Sequence, residues 1–211
     1  MKMIDSKSLL KTLRKEYGNA ECALVFDNPL EMLISTILSA QCTDKRVNIV
    51  TKTLFKKYKK PIDYYNSKDL EKDIYSTGFY RNKAKNIRAA CKIIDEKFGG
   101  KVPKTMGELL ELPGVARKTA NIVLYNSFGI TAGIPVDTHV KRLSYRLGLT
   151  KNTDPKKIEK DLMELIPKKE WGPISYLLIG HGRAVCKAPT PICSKCVLSN
   201  VCPKQGVAKS K

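Results

Sequence analysis

The chain has 211 residues, and its 39 Lys and Arg against 20 Asp and Glu give a formal net charge of +19. This length suits one large domain or two modest ones, and the 42% hydrophobic content excludes wholesale disorder. No apolar run approaches the roughly 18 residues that a membrane helix needs, and the chain begins without a secretory apolar stretch. We therefore expect a cytoplasmic protein with no membrane partner.

The positive charge is spread along the sequence and is not confined to a tail. In a folded intracellular protein this bias favours binding to a polyanion. The alternative is a lysine-rich protein whose cations are merely solvated on its surface. Charge alone does not separate DNA from RNA and indicates no chemistry.

Apolar spacing predicts an almost wholly helical chain. A buried stripe runs from Leu30 to Leu38, with Pro29 in its first turn. A second helix is predicted from Asp44 to about Lys57 with Thr43 as N-cap, and a third from about Asn82 to Phe98. Further helices are predicted at 106–110, 117–128, 137–147, 155–166 and 171–184. No strand-like alternation is present, so we predict an all-α fold.

Glycine and proline interrupt the helical pattern between Gly129 and Pro135. This segment follows an apolar helix and precedes another predicted helix. Two interpretations remain open: it is a hinge between two helical lobes, or it is a simple loop.

A tight Pro113-Gly114 turn separates two predicted helices, which is a helix-hairpin-helix arrangement. Such a turn directs backbone N–H groups outward at the start of its second helix, where they attract a phosphate without reading a base. Arg117 and Lys118 lie in the first turn of that helix. The alternative is a plain helical corner with two solvated cations.

Four of the seven cysteines fall close together near the C-terminus, at Cys186, Cys193, Cys196 and Cys202. Uneven clustering, an odd count and no export signal argue against a disulfide framework. Four thiolates at this spacing suit either a structural zinc ion or an iron–sulfur cluster. A zinc ribbon usually carries two separated CxxC pairs, and only one occurs here, so the spacing favours [4Fe-4S].

Both motifs in this order resemble endonuclease III, the iron–sulfur family of the helix-hairpin-helix DNA glycosylase superfamily. The resemblance covers essentially the whole chain. Besides the two motifs, it includes the segments 38–44, 78–84 and 136–140. It implies two helical lobes with a DNA cleft between them. One lobe is 22–132 with the hairpin at about 106–128, and the other joins 1–21 to 133–211 with the cluster loop at 186–202.

The resemblance also implies an activity: a bifunctional DNA glycosylase and abasic-site lyase that acts on oxidised pyrimidines such as thymine glycol. Lys118 would be the nucleophile at C1′, forming a Schiff base that permits β-elimination. The helix N-terminus and Arg117 both favour the neutral amine. Asp137 would accept the lysine proton or stabilise positive charge at C1′. It also suits a plain helix N-cap.

Further residues match positions that the family uses on DNA. Gln41 would fill the space of an extruded base, and Phe79 would wedge the stack, where the family has a smaller apolar residue. Backbone at the hairpin and the cluster loop would approach phosphates. The predicted DNA-binding residues are Gln41, Phe79, Gly114, Ala116, Arg117, Lys187 and Lys195, with His139 as a neighbour of the site.

Ala116 departs from the family, which often has glycine there. If that position required a positive φ, alanine would cost on the order of 1 kcal/mol. Cys22, Cys42 and Cys91 are expected to be small core residues.

Three alternatives remain. The first is a mismatch adenine glycosylase, which Lys118 disfavours. The second is a non-catalytic iron–sulfur DNA binder or redox sensor, which would not cleave DNA. The third is a form of the same enzyme that binds structural zinc in place of the cluster, and its preparations would be colourless. We expect a monomer that acts on double-stranded DNA containing oxidised pyrimidines or abasic sites.

Overall fold

The computed structural model describes residues 5–18 and 20–211. Within those residues, helices are joined by turns and loops without any β-strand, so the predicted all-α class is confirmed. No helix of the described residues is both long and apolar enough to cross a membrane.

The described residues form α-helices and short 3₁₀ turns in a simple order along the chain. The α-helices are α1 (Ser6–Tyr17), α2 (Pro29–Leu38), α3 (Asp44–Lys57), α4 (Pro61–Asn66), α5 (Leu70–Asp73), α6 (Tyr80–Phe98), α7 (Met106–Leu110), α8 (Arg117–Phe128), α9 (Thr138–Arg146), α10 (Pro155–Leu165) and α11 (Trp171–Ala184). The 3₁₀ turns are Tyr75–Thr77, Lys168–Glu170 and Cys193–Lys195.

The predicted helices at α2, α3, α7, α8 and α11 are confirmed, and Thr43 is the N-cap of α3, accepting a hydrogen bond from Arg46 N at 3.3 Å. The start predicted for α6 was wrong by two residues, because α6 begins at Tyr80 directly after a left-handed Phe79. Apolar spacing did not predict α1, α4 or α5.

The chain divides into two compact units, with boundaries between Glu21 and Cys22 and between Ala132 and Gly133. One unit is Cys22–Ala132. Its central element is α2, in which every residue after Pro29 is buried. Apolar faces of α3, α6 and α8 contribute to the same core, which includes Leu33, Ile34, Leu54, Ile87, Ile94, Val123 and Leu124. Cys91 is fully buried in this core, whereas Cys22 and Cys42 pack partly buried against it.

The other unit joins the segment ending at Glu21 to Gly133–Lys211. Its core includes Leu9, Leu13, Val140, Leu143, Ile158, Leu162, Ile174 and Leu178, which come from α1, α9, α10 and α11. Polar contacts add to this packing. Arg14 of α1 forms an ion pair with Glu170, and Ser175 Oγ donates to the carbonyl of Pro135 at 2.9 Å.

Candidate active site and metal centre

The hairpin is formed by α7, a tight turn and α8. Leu112 and Val115 on either side of the turn are buried, and Val115 N donates to Leu112 O at 3.0 Å. Gly114 has φ +80°, and a Cβ on it would lie 2.9 Å from Cβ of Asn86. The turn therefore requires glycine both for its backbone conformation and for its close approach to α6.

Ala116 is the N-cap residue of α8, with φ −89° and ψ 170°. This is extended backbone, so alanine causes no strain and the cost considered for a positive φ does not arise. Its methyl group cannot accept a hydrogen bond, so the N-cap residue of α8 provides no side-chain cap. An uncapped helix N-terminus of this kind suits an anion.

Lys118 is the second residue of α8 and is exposed to solvent. Arg117 precedes it in the same turn and is half-buried. Within the described residues of its own unit, the Lys118 ammonium has no ion-pair partner. The hairpin thus presents an unpaired amine beside an uncapped helix N-terminus.

Asp137 is the N-cap of α9, and its Oδ1 accepts a hydrogen bond from Val140 N at 2.7 Å. The N-cap interpretation of this residue is therefore correct. The side chain is only half-buried. A capping carboxylate held in this way has a fixed orientation, which is compatible with a further role in chemistry.

His139 lies in the first turn of α9, two residues after Asp137. Burial lowers the pKa of its imidazole, and the charge of Asp137 acts in the opposite direction. Arg142 donates from Nη2 to His139 Nδ1 across 3.1 Å, which requires that this nitrogen be unprotonated. The ring is thus held neutral beside the capping carboxylate.

Gln41 and Phe79 share an unusual backbone conformation. Their φ angles are +52° and +49°, and together with Lys204 they are the non-glycine residues with positive φ among those described. Both side chains are exposed, and Phe79 retains 65% of its surface. The left-handed backbone marks both positions as functional candidates, and at Phe79 the exposure of a large apolar ring adds to this.

The four C-terminal cysteines line one small cavity, together with Arg146 and His181. All seven cysteines of the chain are described, and none forms a disulfide. Burial raises the pKa of the Cys196 and Cys202 thiols, and the neighbouring cysteines raise it further. In the described chain, no three Cys, His, Asp or Glu side chains form a group that would hold a single metal ion.

Nitrogen donors surround the sulfur atoms. Arg146 Nη1 donates to Cys186 Sγ at 3.5 Å, and Lys204 N donates to Cys202 Sγ at 3.4 Å. His181 Nε2 lies 3.5 Å from Cys196 Sγ. Four half-buried sulfurs around one cavity, with N–H groups directed at them, fit a cluster ligated by four thiolates.

Two arginines of α9 hold the loop that carries these cysteines. Arg142 donates to the carbonyl of Cys186 from Nη2 at 3.0 Å. Arg146 donates to the carbonyls of Lys187 at 2.8 Å and Pro189 at 2.9 Å. Sequence reasoning missed both arginines. Their i, i+4 spacing on one helix was the available signal, because it places them on one face.

Lys187 and Lys195, the predicted phosphate contacts of the cluster loop, are both exposed. Lys195 ends the 3₁₀ turn Cys193–Lys195. The C-terminus returns to the same loop, since Lys211 O accepts from Ser194 N at 3.0 Å and Lys211 N donates to Pro191 O at 2.9 Å.

Comparison with known proteins agrees with this hairpin and its helical surroundings. The model of the HhH-GPD superfamily of base excision DNA repair proteins matches residues 34–168. Endonuclease III of Synechocystis sp. is 56% identical, with 92% of this chain and 90% of that protein covered.

Two solved structures resemble the chain over almost its whole length. A non-covalent endonuclease III–DNA complex has a TM-score of 0.90 at 46% identity, covering 96% of this chain and 97% of that one. A trapped endonuclease III–DNA covalent intermediate, an estranged-adenine complex, has a TM-score of 0.89 at 45% identity with the same coverage. The chain belongs to the HhH-GPD superfamily of base excision DNA repair proteins and, within it, to the endonuclease III family.

Proposed function

We propose that this protein is a bifunctional DNA glycosylase and abasic-site lyase that removes oxidised pyrimidines from double-stranded DNA. The DNA glycosylase function follows from family membership. The observation that carries the finer proposal is Lys118, an exposed amine in the first turn of α8, directly after the tight turn of the hairpin. The resemblance to a trapped endonuclease III–DNA covalent intermediate supports a covalent mechanism.

Lys118 Nζ attacks C1′ of the damaged nucleotide, and the N-glycosidic bond breaks as the base leaves with a proton. The amine and the opened sugar form a Schiff base, which acidifies the C2′ proton. Loss of that proton breaks the C3′–O3′ bond, and the 3′ phosphate leaves. Water then hydrolyses the imine and returns the free lysine. A glycosylase that only activates water does not need an amine at this position.

The amine must be neutral when it attacks. Asp137 either accepts the lysine proton or stabilises positive charge at C1′. Its hydrogen bond from Val140 N at 2.7 Å leaves the second carboxylate oxygen for that role. His139 takes a structural part, because its Nδ1 accepts from Arg142.

DNA contacts are divided between backbone positioning and base extrusion. The uncapped N-terminus of α8, with Gly114 and Ala116 before it, binds a phosphate. Lys187 and Lys195 on the cluster loop contact further phosphates. Gln41 fills the space of the extruded base, and Phe79 wedges the stack.

Cys186, Cys193, Cys196 and Cys202 hold a [4Fe-4S] cluster in this proposal. When bound, the cluster acts as a structural clamp on the loop and supplies no reagent to the reaction. Arg146 and Lys204 donate hydrogen bonds to the ligating sulfurs, and Arg142 and Arg146 fix the backbone that presents Lys187. The loop is thereby ordered for contact with DNA.

Borohydride trapping tests the proposal. The purified protein, incubated with a thymine-glycol duplex and borohydride, is expected to become covalently attached to the DNA. Lys118→Gln should reduce trapping below about 1% of wild type, because the nucleophile is lost. Lys92→Gln is the matched control, since Lys92 is an exposed lysine of α6 paired with Glu96.

The remaining outcomes separate the alternatives. Base release from an adenine mismatch without trapping would support a mismatch adenine glycosylase. Salt-sensitive DNA binding with neither base release nor cleavage would support a non-catalytic binder, and trapping that survives Lys118→Gln would contradict the mechanism. Metal analysis distinguishes iron and sulfide from one zinc ion. We expect a monomer.

A further inference from the structure

A buried lysine connects the two loops that carry Gln41 and Phe79. Lys83 lies on α6 and is only 4% exposed. Its ammonium donates to the carbonyl of Leu38, the last residue of α2, at 2.8 Å. It also donates to the carbonyl of Thr77, the last residue of the 3₁₀ turn, at 2.8 Å. One nitrogen atom therefore binds the backbone immediately before both loops.

The burial of this charge is costly and has no carboxylate to offset it. Among the described residues, Lys83 forms no ion pair, and burial lowers the pKa of its ammonium. A methionine or leucine would fill the same space without that penalty. What the ammonium provides, and an apolar side chain does not, is a pair of charge-assisted hydrogen bonds to two carbonyls. At Leu38 it also complements the C-terminal end of the α2 dipole.

The two carbonyls are close in sequence to the two left-handed residues. Gln41 follows Leu38 by three residues, and Phe79 follows Thr77 by two. Lys83 also has a second contact with the second loop, because its backbone N–H donates to Phe79 O at 3.1 Å. Loops in a conformation that side-chain-bearing residues rarely adopt need an external constraint. Lys83 supplies it to both loops at once.

We propose that Lys83 is a positioning residue that holds Gln41 and Phe79 together in the geometry required for base extrusion. The proposal rests on the DNA roles of Gln41 and Phe79 proposed above. Insertion by both residues is productive only when both are correctly placed at the same time, and a shared anchor couples their positions. Lys83 itself touches neither DNA nor the reacting atoms.

The test compares Lys83→Met with Lys92→Met, which removes an exposed charge from the same helix. Single-turnover excision of thymine glycol at saturating enzyme should fall about 10- to 100-fold in Lys83→Met, because misplacement of about 1 Å has this effect. Affinity for an undamaged duplex should stay close to that of wild type. Lys83→Arg, which keeps the charge and the donors, should recover part of the rate.

Base extrusion is also measured in an experiment that involves no base release or strand cleavage. A duplex with 2-aminopurine next to a tetrahydrofuran abasic analogue reports unstacking by its fluorescence and is not cleaved. Lys83→Met should give a smaller rise in fluorescence at saturation, whereas Lys92→Met should match wild type. Because this readout does not depend on Lys118, a failure of the proposed lyase mechanism leaves it interpretable.

Amide hydrogen exchange distinguishes positioning from general stability. In Lys83→Met, faster exchange should be confined to residues 39–42 and 77–80, and it should appear in both loops together. If Lys83→Met does not fold, the same measurements are made on Lys83→Gln. Unchanged excision and fluorescence would overturn the proposal. So would faster exchange throughout the Cys22–Ala132 core, or in one loop only.

Discussion

The hairpin and the cluster loop are both short motifs with a proposed contact to DNA, yet they are held by different forces. From Met106 to Phe128, side chains such as Leu109, Val115 and Leu124 are buried in the core of their unit. Between Cys186 and Cys202, only Pro191 and Leu198 are buried. The hairpin is therefore ordered by apolar packing, whereas the cluster loop depends on polar contacts and on what its thiols bind.

The largest expected effect concerns the cluster loop. Cys202→Ser should abolish the visible colour of the purified protein and lower the free energy of unfolding by more than about 5 kcal/mol, because metal binding is linked to folding. Absorbance, iron content and urea denaturation measure the result. Cys42→Ser is the control, since Cys42 is half-buried in the other unit and should keep the colour. A coloured, stable Cys202→Ser protein would contradict the assignment.

Truncation of a buried side chain in the hairpin should lower the stability of the protein without removing the iron. Leu109 is fully buried. Leu109→Ala should cost about 2–5 kcal/mol of stability through lost packing and the cavity that remains, while the iron content is unchanged. Urea denaturation together with metal analysis checks this prediction. Loss of iron in this variant would show that the two regions are not independent.

Removing one arginine of α9 should make the cluster loop less ordered, while the rest of its unit stays folded. Arg146→Met loses the hydrogen bonds to the carbonyls of Lys187 and Pro189. We expect the free energy of unfolding to fall by about 1–3 kcal/mol and amide hydrogen exchange in residues 186–190 to become faster. Exchange no faster than in wild type would show that the thiols alone order this segment.

The smallest expected effects concern Gly114 and Ala116, which lie two residues apart in the hairpin. Gly114→Ala should cost about 1–2 kcal/mol, because its φ is +80° and the added Cβ would meet Asn86. Ala116→Gly should cost less, about 0.5–1 kcal/mol at most, because its backbone is extended and only unfolded-state entropy changes. Thermal unfolding measures both. Equal costs would contradict the conformational difference between them.

Apolar spacing predicted most of the helices because their buried faces are long and regular. The helices α1, α4 and α5 were not predicted. For α1 the buried residues are only Leu9, Leu10 and Leu13, and α4 and α5 are short, with six and four residues. The start of α6 was misplaced because a left-handed Phe79 replaces a side-chain cap.

The site residues that sequence reasoning missed act through tertiary contacts. The burial of Lys83 depends on the packing of α6 against the end of α2, which no local pattern encodes. The roles of Arg142 and Arg146 depend on a loop that is distant in sequence. Spacing predicted which thiols belong together, because the four fall within one short segment and line one cavity.

The identity of the reacting amine is the most direct test of the proposed mechanism. After borohydride trapping on a thymine-glycol duplex, nuclease and protease digestion followed by mass spectrometry locates the sugar adduct. The proposed mechanism predicts one modified peptide, with the adduct on Lys118. An adduct on a different lysine, or stable trapping spread over several lysines, would contradict it.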